Sequence, residues 1–205
     1  MIRKHKYKKT LNIIGLLLIT IAIFIPIYTK RNEKHTKKIA SKQIEIYLDK
    51  TSIINETKSN LTNNSHSEKY EYIAILEIPD INLFQGLLPL SNKYNNVEYN
   101  IQVINGSQMP DIPKTNLVLA SHSGTSSVAY FKNLEKLQIN SEVYLYYQGY
   151  KYIYKIDNYH ILPKTGTISI DRDKYKNTIT LITCVKENDS EQIAYIGYLT
   201  NKIAY

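Results

Sequence analysis

From Tyr70 onward the sequence consists largely of short strand-like runs: YEYIAILEI, YNIQVI, NLVLA, EVYLYY, YKYIYKIDNY, TITLIT and IAYIGYL. Gln148 and Gly149 separate two of these runs and are typical of a tight hairpin turn. Residues 129–137 form the one convincing helical segment, with Phe131, Leu134 and Leu137 on one side. Seven or eight strands with little helix in about 135 residues predict a mainly β fold, a closed or nearly closed barrel.

An uncharged, almost wholly apolar run covers residues 11–27, and Tyr28 and Thr29 extend it slightly. This length is about the minimum for a helix that crosses a bilayer, so we predict a transmembrane signal anchor over residues 11–29. The basic residues 1–10 favour a cytoplasmic N-terminus and a single pass, which places the rest of the chain outside the cytoplasm at the cell membrane. A cleaved signal peptide is less favoured, because no A-x-A-like site follows the run.

Two polar stretches connect this anchor to the strand-rich region. Residues 31–50 are good helix formers with a thin apolar stripe formed by Ile39, Ile44, Tyr47 and Leu48. Residues 51–69 are rich in Asn, Ser and Thr, as in a flexible stalk. We therefore predict a juxtamembrane helix and stalk over residues 30–69, followed by a single globular domain over residues 70–205.

The formal charge of +8 is not spread over the predicted domain. Five basic side chains lie in residues 1–10, and residues 30–50 hold seven basic and three acidic side chains, which leaves about −1 for the rest of the chain. A nucleic-acid partner would require a basic face on the folded domain itself. The charge distribution therefore argues against nucleic-acid binding and for a role of the basic residues beside a membrane.

The only cysteine, Cys184, ends the run TLITC, and His122 directly follows the run NLVLA within LASHSG. Residues at strand ends are held by the sheet yet exposed at its rim. A thiol reacts as the thiolate, which a nearby imidazole stabilises or generates. Cys184 is thus either a nucleophile or a small buried apolar residue, and His122 is either its partner or a structural histidine.

The segments around these two residues resemble the sortases, the cysteine transpeptidases of Gram-positive cell surfaces. The resemblance covers residues 70–205 in the family's order: YIAILEIPDINL, SQMPD, NLVLASHSGT, YFKNLEKLQINSEVYLYY and TLITC. It implies an eight-stranded barrel in which Cys184 attacks the Thr-Gly bond of an LPxTG-like sorting signal on a secreted protein. It also implies that His122 protonates the departing amine, and that an amine of a cell-wall precursor or a pilin lysine resolves the thioacyl intermediate.

One position departs from the sortase pattern. Sortases usually carry an arginine near the start of the strand after the cysteine, and Gln192 stands there in this chain. Three interpretations follow: Gln192 acts as a neutral hydrogen-bond donor, another cation replaces the arginine, or the protein binds without turning over. Arg172 is the one arginine of the predicted domain, and Lys186 is an example of the lysines that remain.

Residues 162–166 read LPKTG, which is itself a sorting-signal motif. The segment lacks the apolar span and basic tail that follow a genuine signal, so we interpret it as a turn shaped by Pro163 and Gly166. The sharper alternative is a pseudosubstrate that occupies the groove in cis. A hydrolase that uses the same acyl-enzyme also remains open. The sequence holds no metal cluster, phosphate loop or nucleotide fingerprint, so it implies no cofactor and no metal.

Overall fold

This computed structural model describes residues 41–49, 71–166 and 169–205. Lys42–Tyr205 forms one compact unit. The predicted membrane anchor at residues 11–29 and the predicted stalk at residues 51–69 lie outside the described residues. Within the part of the chain that is described, no helix has the length and apolar character needed to cross a membrane.

Eight strands form a single sheet that curls into a nearly closed barrel. Their bounds are β1 (Ala74–Ile78), β2 (Leu83–Leu87), β3 (Gln102–Val103), β4 (Asn116–Ala120), β5 (Glu142–Tyr147), β6 (Tyr150–Pro163), β7 (Thr178–Cys184) and β8 (Glu191–Ala204). The strand order is β2-β1-β5-β6-β8-β7-β4-β3. All pairings are antiparallel except that of β4 with β7. The mainly β fold predicted from the sequence is therefore confirmed.

The predicted hairpin turn between β5 and β6 is present. Tyr147 pairs with Tyr150, and the two residues between them, Gln148 and Gly149, have φ angles of 49° and 76°. Positive φ at both central residues gives the turn a twist that matches that of the flanking strands. Glycine is suited to such a turn because it lacks the Cβ that makes this backbone region unfavourable.

Two elements differ from the sequence prediction. Strand β2 was not among the predicted runs, because LFQGL contains a glycine and a buried polar residue, Gln85, in place of simple alternation. The predicted helix at residues 129–137 consists of turns and a 3₁₀ helix, Leu134–Lys136. Its three apolar residues recur at intervals of three, which matches the period of a 3₁₀ helix, and Phe131, Leu134 and Leu137 are buried as predicted.

Side-chain amides bridge the gap between the two edge strands, β2 and β3. The Asn100 side chain, just before β3, donates a hydrogen bond to the Gly86 carbonyl at 2.9 Å. Gln85 of β2 donates to Asn100 Oδ1 at 2.8 Å. Gln85 and Asn100 are both buried, and a buried amide must be hydrogen-bonded to offset its desolvation. This pair therefore closes the barrel where the backbone ladder is interrupted.

Helix α1, residues 41–49, packs on the outer surface of the barrel. Ile44 is buried in a cluster with Tyr72, Ile75 and Leu88. The Tyr47 hydroxyl donates a hydrogen bond to the Ile73 carbonyl at 2.8 Å. The described part of the predicted juxtamembrane helix is thus joined to the barrel by apolar contact and a hydrogen bond.

Candidate active site

The relative position of His122 and Cys184 depends on the one parallel pairing in the sheet, that of β4 with β7. Strands β4 and β7 run in the same direction, with Asn116 opposite Thr178 and Ala120 opposite Ile182, a constant offset of 62 residues. His122 and Cys184 are separated by the same 62 residues. Because parallel strands have their carboxyl ends at one edge, this register, when continued for two residues beyond Ala120, aligns His122 with Cys184. Neighbouring strands of a sheet are about 5 Å apart.

Both residues stand at the edge of the sheet where β4 and β7 end, and both are partly exposed. In β4 and β7 the apolar residues Leu117, Leu119, Ile179 and Leu181 point into the core and are fully buried. Side chains alternate between faces along a strand, so Cys184 belongs to the opposite face, and His122 follows β4 two residues after Ala120. Cys184 is partly exposed and the His122 side chain is 38% exposed. A reagent in solution can therefore reach both groups.

Hydrogen bonds extend the β4–β7 alignment as far as His122. The Ser121 backbone N–H donates to the Ile182 carbonyl at 3.2 Å, and Thr183 Oγ1 donates to the Ser121 carbonyl at 2.8 Å. The His122 carbonyl accepts from the Phe131 N–H at 3.2 Å. Ser121 and Thr183 are buried, so water competes little for these bonds. The backbone that carries His122 is therefore fixed on both sides.

Gln192 lies on β8, which flanks β7 on the side away from β4. The two residues are directly opposed in the β7–β8 pairing, so their side chains share one face of the sheet. The Gln192 amide donates to the Pro163 carbonyl at 3.0 Å. A primary amide has two N–H donors, so this bond orients the group and leaves a second donor available.

The internal LPKTG segment ends strand β6. Leu162 and Pro163 pair with Gln192 and Glu191 of β8, and the Lys164 N–H donates to the Ser190 carbonyl at 2.9 Å. Gly166 has a φ of +91°, which favours glycine. Strand pairing followed by a positive-φ glycine favours the interpretation of this segment as a turn.

The structure does not bring Arg172 to Cys184. The guanidinium of Arg172 lies 3.4 Å from Thr178 Oγ1, at the start of β7. Cys184 ends that strand six residues later, which at 3.3 Å per residue is about 20 Å away. Arg172 therefore lies at the opposite end of the strand from the thiol.

Lys186, two residues after Cys184, already has an anionic partner. Its ammonium group forms an ion pair with Glu135. Burial raises the pKa of Glu135, but the hydrogen bond and charge of Lys186, together with a backbone hydrogen bond and the charge of Lys136, hold that pKa below its usual value. Gln192 is thus the polar side chain directly opposed to Cys184, whereas Lys186 is engaged elsewhere.

Glu98 contacts His122, and no sequence pattern predicted this contact. Its Oε1 lies 3.1 Å from His122 Nε2, although the two residues are 24 positions apart. Glu98 stands in an irregular segment of no recognisable motif, so nothing in the local sequence indicates this contact. Among the described residues, no group of three or more His, Cys, Asp or Glu side chains is arranged to hold a metal ion.

Sequence comparison identifies the domain to which these features belong. The family model described as the sortase domain matches residues 76–198, more than half of the chain. The chain belongs to the sortase family and is a cysteine transpeptidase of that family. Comparison with curated protein sequences gives no match.

Solved sortase structures share the fold at low sequence identity. Sortase A from Corynebacterium diphtheriae, a lid mutant, is 24% identical with a TM-score of 0.56, over 76% of this chain and 79% of that one. The Clostridium perfringens sortase D5 transpeptidase is 20% identical with a TM-score of 0.58, over 80% of this chain and 98% of that one. Sortase C from Streptococcus pneumoniae is 18% identical with a TM-score of 0.57, over 82% and 95%. These similarities establish the barrel, not the substrate.

Proposed function

We propose that this protein cleaves an LPxTG-like sorting signal between Thr and Gly and transfers the new acyl end to an amine. The Cys184 thiolate attacks the Thr carbonyl carbon, the carbon–nitrogen bond breaks, and His122 protonates the departing Gly amine. An amine from a cell-wall precursor or a pilin lysine then attacks the thioester. Its nitrogen forms the new amide bond, its proton passes to His122, and Cys184 leaves as the thiolate.

The observation that carries this proposal is the β4–β7 register. The same offset of 62 residues relates the paired strands and the two reactive side chains. Cys184 is the last residue of β7, His122 lies two residues beyond β4, and both are partly exposed. Adjacent thiol and imidazole groups with access to solvent are the arrangement that nucleophilic cysteine catalysis requires.

Gln192 replaces the usual arginine as a neutral donor in this proposal. One amide N–H bonds to Pro163, and the second is available to the oxyanion that forms on the substrate carbonyl beside Cys184. A neutral donor lacks charge assistance, which amounts to about 1 kcal/mol or somewhat more. We therefore expect a slower enzyme than one with arginine at this position.

The membrane anchor completes the proposal. Residues 11–29 hold the protein in the cell membrane with residues 1–10 in the cytoplasm. The barrel then faces the outside, where secreted proteins that carry sorting signals emerge. Anchoring raises the effective concentration of enzyme beside those substrates.

A mass-spectrometric assay tests this function. The purified full-length chain, kept in detergent because of its apolar residues 11–27, is incubated with LPxTG-type peptides with and without an added amine. Because the chain has one cysteine, any thioacyl adduct is assigned to Cys184 without ambiguity. We expect an adduct in the wild type, none in Cys184→Ala, and an amine-linked product when amine is present.

Other results would change the assignment. A peptide acid as the sole product, even with excess amine, would indicate a hydrolase. Tight peptide binding without an adduct would indicate a sortase-like binding protein, the alternative that the loss of arginine at position 192 leaves open.

A further inference from the structure

A carboxylate contacts the ring nitrogen of the proposed acid-base residue. Glu98 Oε1 and His122 Nε2 are 3.1 Å apart. An ionised carboxylate only accepts hydrogen bonds, so Nε2 carries the proton in this contact. The other ring nitrogen, Nδ1, has no hydrogen-bond partner among the residues that the structure describes. The contact thus selects one tautomer and leaves Nδ1 available for proton transfer.

The segment that carries Glu98 is held firmly, even though its side chain is 68% exposed. Asn95 Oδ1 accepts from the Val103 N–H at 2.7 Å, and the Asn95 amide donates to the Val103 carbonyl at 3.0 Å. The buried Asn100 side chain donates to the Gly86 carbonyl at 2.9 Å. The Asn95 bonds join the segment to β3 on the N-terminal side of Glu98. The Asn100 bond joins it to β2 on the C-terminal side. The position of Glu98 is therefore built into the barrel rather than left to a free loop.

We infer that Glu98 is a positioning residue for His122, which it holds as the Nε2–H tautomer with Nδ1 directed to the reaction. The carboxylate also favours the imidazolium, the form of His122 that protonates the departing amine and that is restored when the incoming amine gives up its proton. This inference rests on the proposed function, because it gives Glu98 a role in the proton transfers of that reaction. It acts through His122 and needs no contact with substrate.

Three variants of the full-length protein test this inference. Glu98→Ala removes the acceptor, Glu98→Asp keeps a carboxylate, and Glu45→Ala is the matched control on helix α1. We expect Glu98→Ala to lower kcat by about 2- to 5-fold with little change in KM, the range for a solvent-exposed pair. Glu98→Asp should recover part of the loss, and Glu45→Ala should behave as the wild type.

NMR of the imidazole nitrogens reports the tautomer of His122 directly. The tautomer would not change if Glu98 only stabilised the fold. The spectrum of His122 should show the Nε2–H tautomer in the wild type and in Glu98→Asp, and a mixture in Glu98→Ala. Unchanged tautomer populations, or a kcat equal to or above that of the wild type, would overturn the inference. Absence of a Cys184 thioacyl adduct in the wild type would instead overturn the proposed function, and the catalytic role of Glu98 with it.

Discussion

Replacing Gln192 by alanine separates two roles that this side chain can have. Its amide donates to the Pro163 carbonyl at 3.0 Å, and the residue itself is paired with Cys184 across β7 and β8. Loss of the bond to Pro163 should cost about 1 kcal/mol of unfolding free energy. Loss of an oxyanion donor should cost about 3 to 4 kcal/mol of transition-state stabilisation, or about 100- to 1,000-fold in kcat.

Steady-state kinetics and thermal unfolding of the same preparation measure both quantities. Thr200→Val is a suitable control, because it removes a comparable hydrogen bond, from Thr200 Oγ1 to the Ile153 carbonyl at 3.0 Å, near the far end of the same strand. It should lower stability similarly and leave kcat unchanged. Gln192→Glu keeps the size but removes the donor, and should be as slow as Gln192→Ala.

The complementary change is Gln192→Arg, which restores a cationic donor and should raise kcat several-fold through charge assistance. A kcat for Gln192→Ala within about 3-fold of the wild type, with the loss of stability as expected, would refute the oxyanion role. Such a small effect is well below what the removal of an oxyanion donor produces. Gln192 would then serve only to hold the end of β6.

Three further substitutions test the framework around the site. Thr183→Val removes the side-chain hydrogen bond to the Ser121 carbonyl and should lower the unfolding free energy by about 1 to 3 kcal/mol and also lower kcat/KM. Thr183→Ser keeps the hydroxyl and should preserve both quantities, as measured by denaturation and peptide cleavage. Gly86→Ala would bring a methyl group into steric clash with the Tyr72 ring and should lower the free energy of urea unfolding by about 1 to 3 kcal/mol. Unchanged stability would contradict this packing. Tyr47→Phe removes a hydroxyl bond of about 1 kcal/mol and should increase amide hydrogen exchange in residues 41–49 without changing kcat.

Much of the strand content was predictable because it depends on local patterns. Alternating side chains marked most strands, and Gln148-Gly149 marked the hairpin, since both signals depend only on neighbouring residues. Strand β2 was missed because its buried Gln85 interrupts the apolar pattern. The hydrogen-bond partner that satisfies Gln85, Asn100, is 15 residues away and belongs to no local pattern. The segment at residues 129–137 had the correct buried residues but the wrong helical period.

The candidate site was predictable only in part. Cys184 and His122 were singled out because Cys184 ends one recognisable strand and His122 follows another, and Gln192 because it departs from a family pattern. Glu98 was not found, because an irregular segment brings it to His122 across 24 residues. The sequence left Arg172 and Lys186 open as replacement cations. Only the three-dimensional arrangement shows Arg172 at the far end of β7 and Lys186 paired with Glu135.

By itself, the sequence determined the chemistry that is available: one thiol, an imidazole after a strand, and a neutral amide in place of a guanidinium. Tertiary structure decided which of these groups meet. The deciding feature is the register of β4 against β7, because a shift by one residue would turn one side chain to the other face. Register depends on packing across the whole sheet, so the sequence of either strand alone does not specify it.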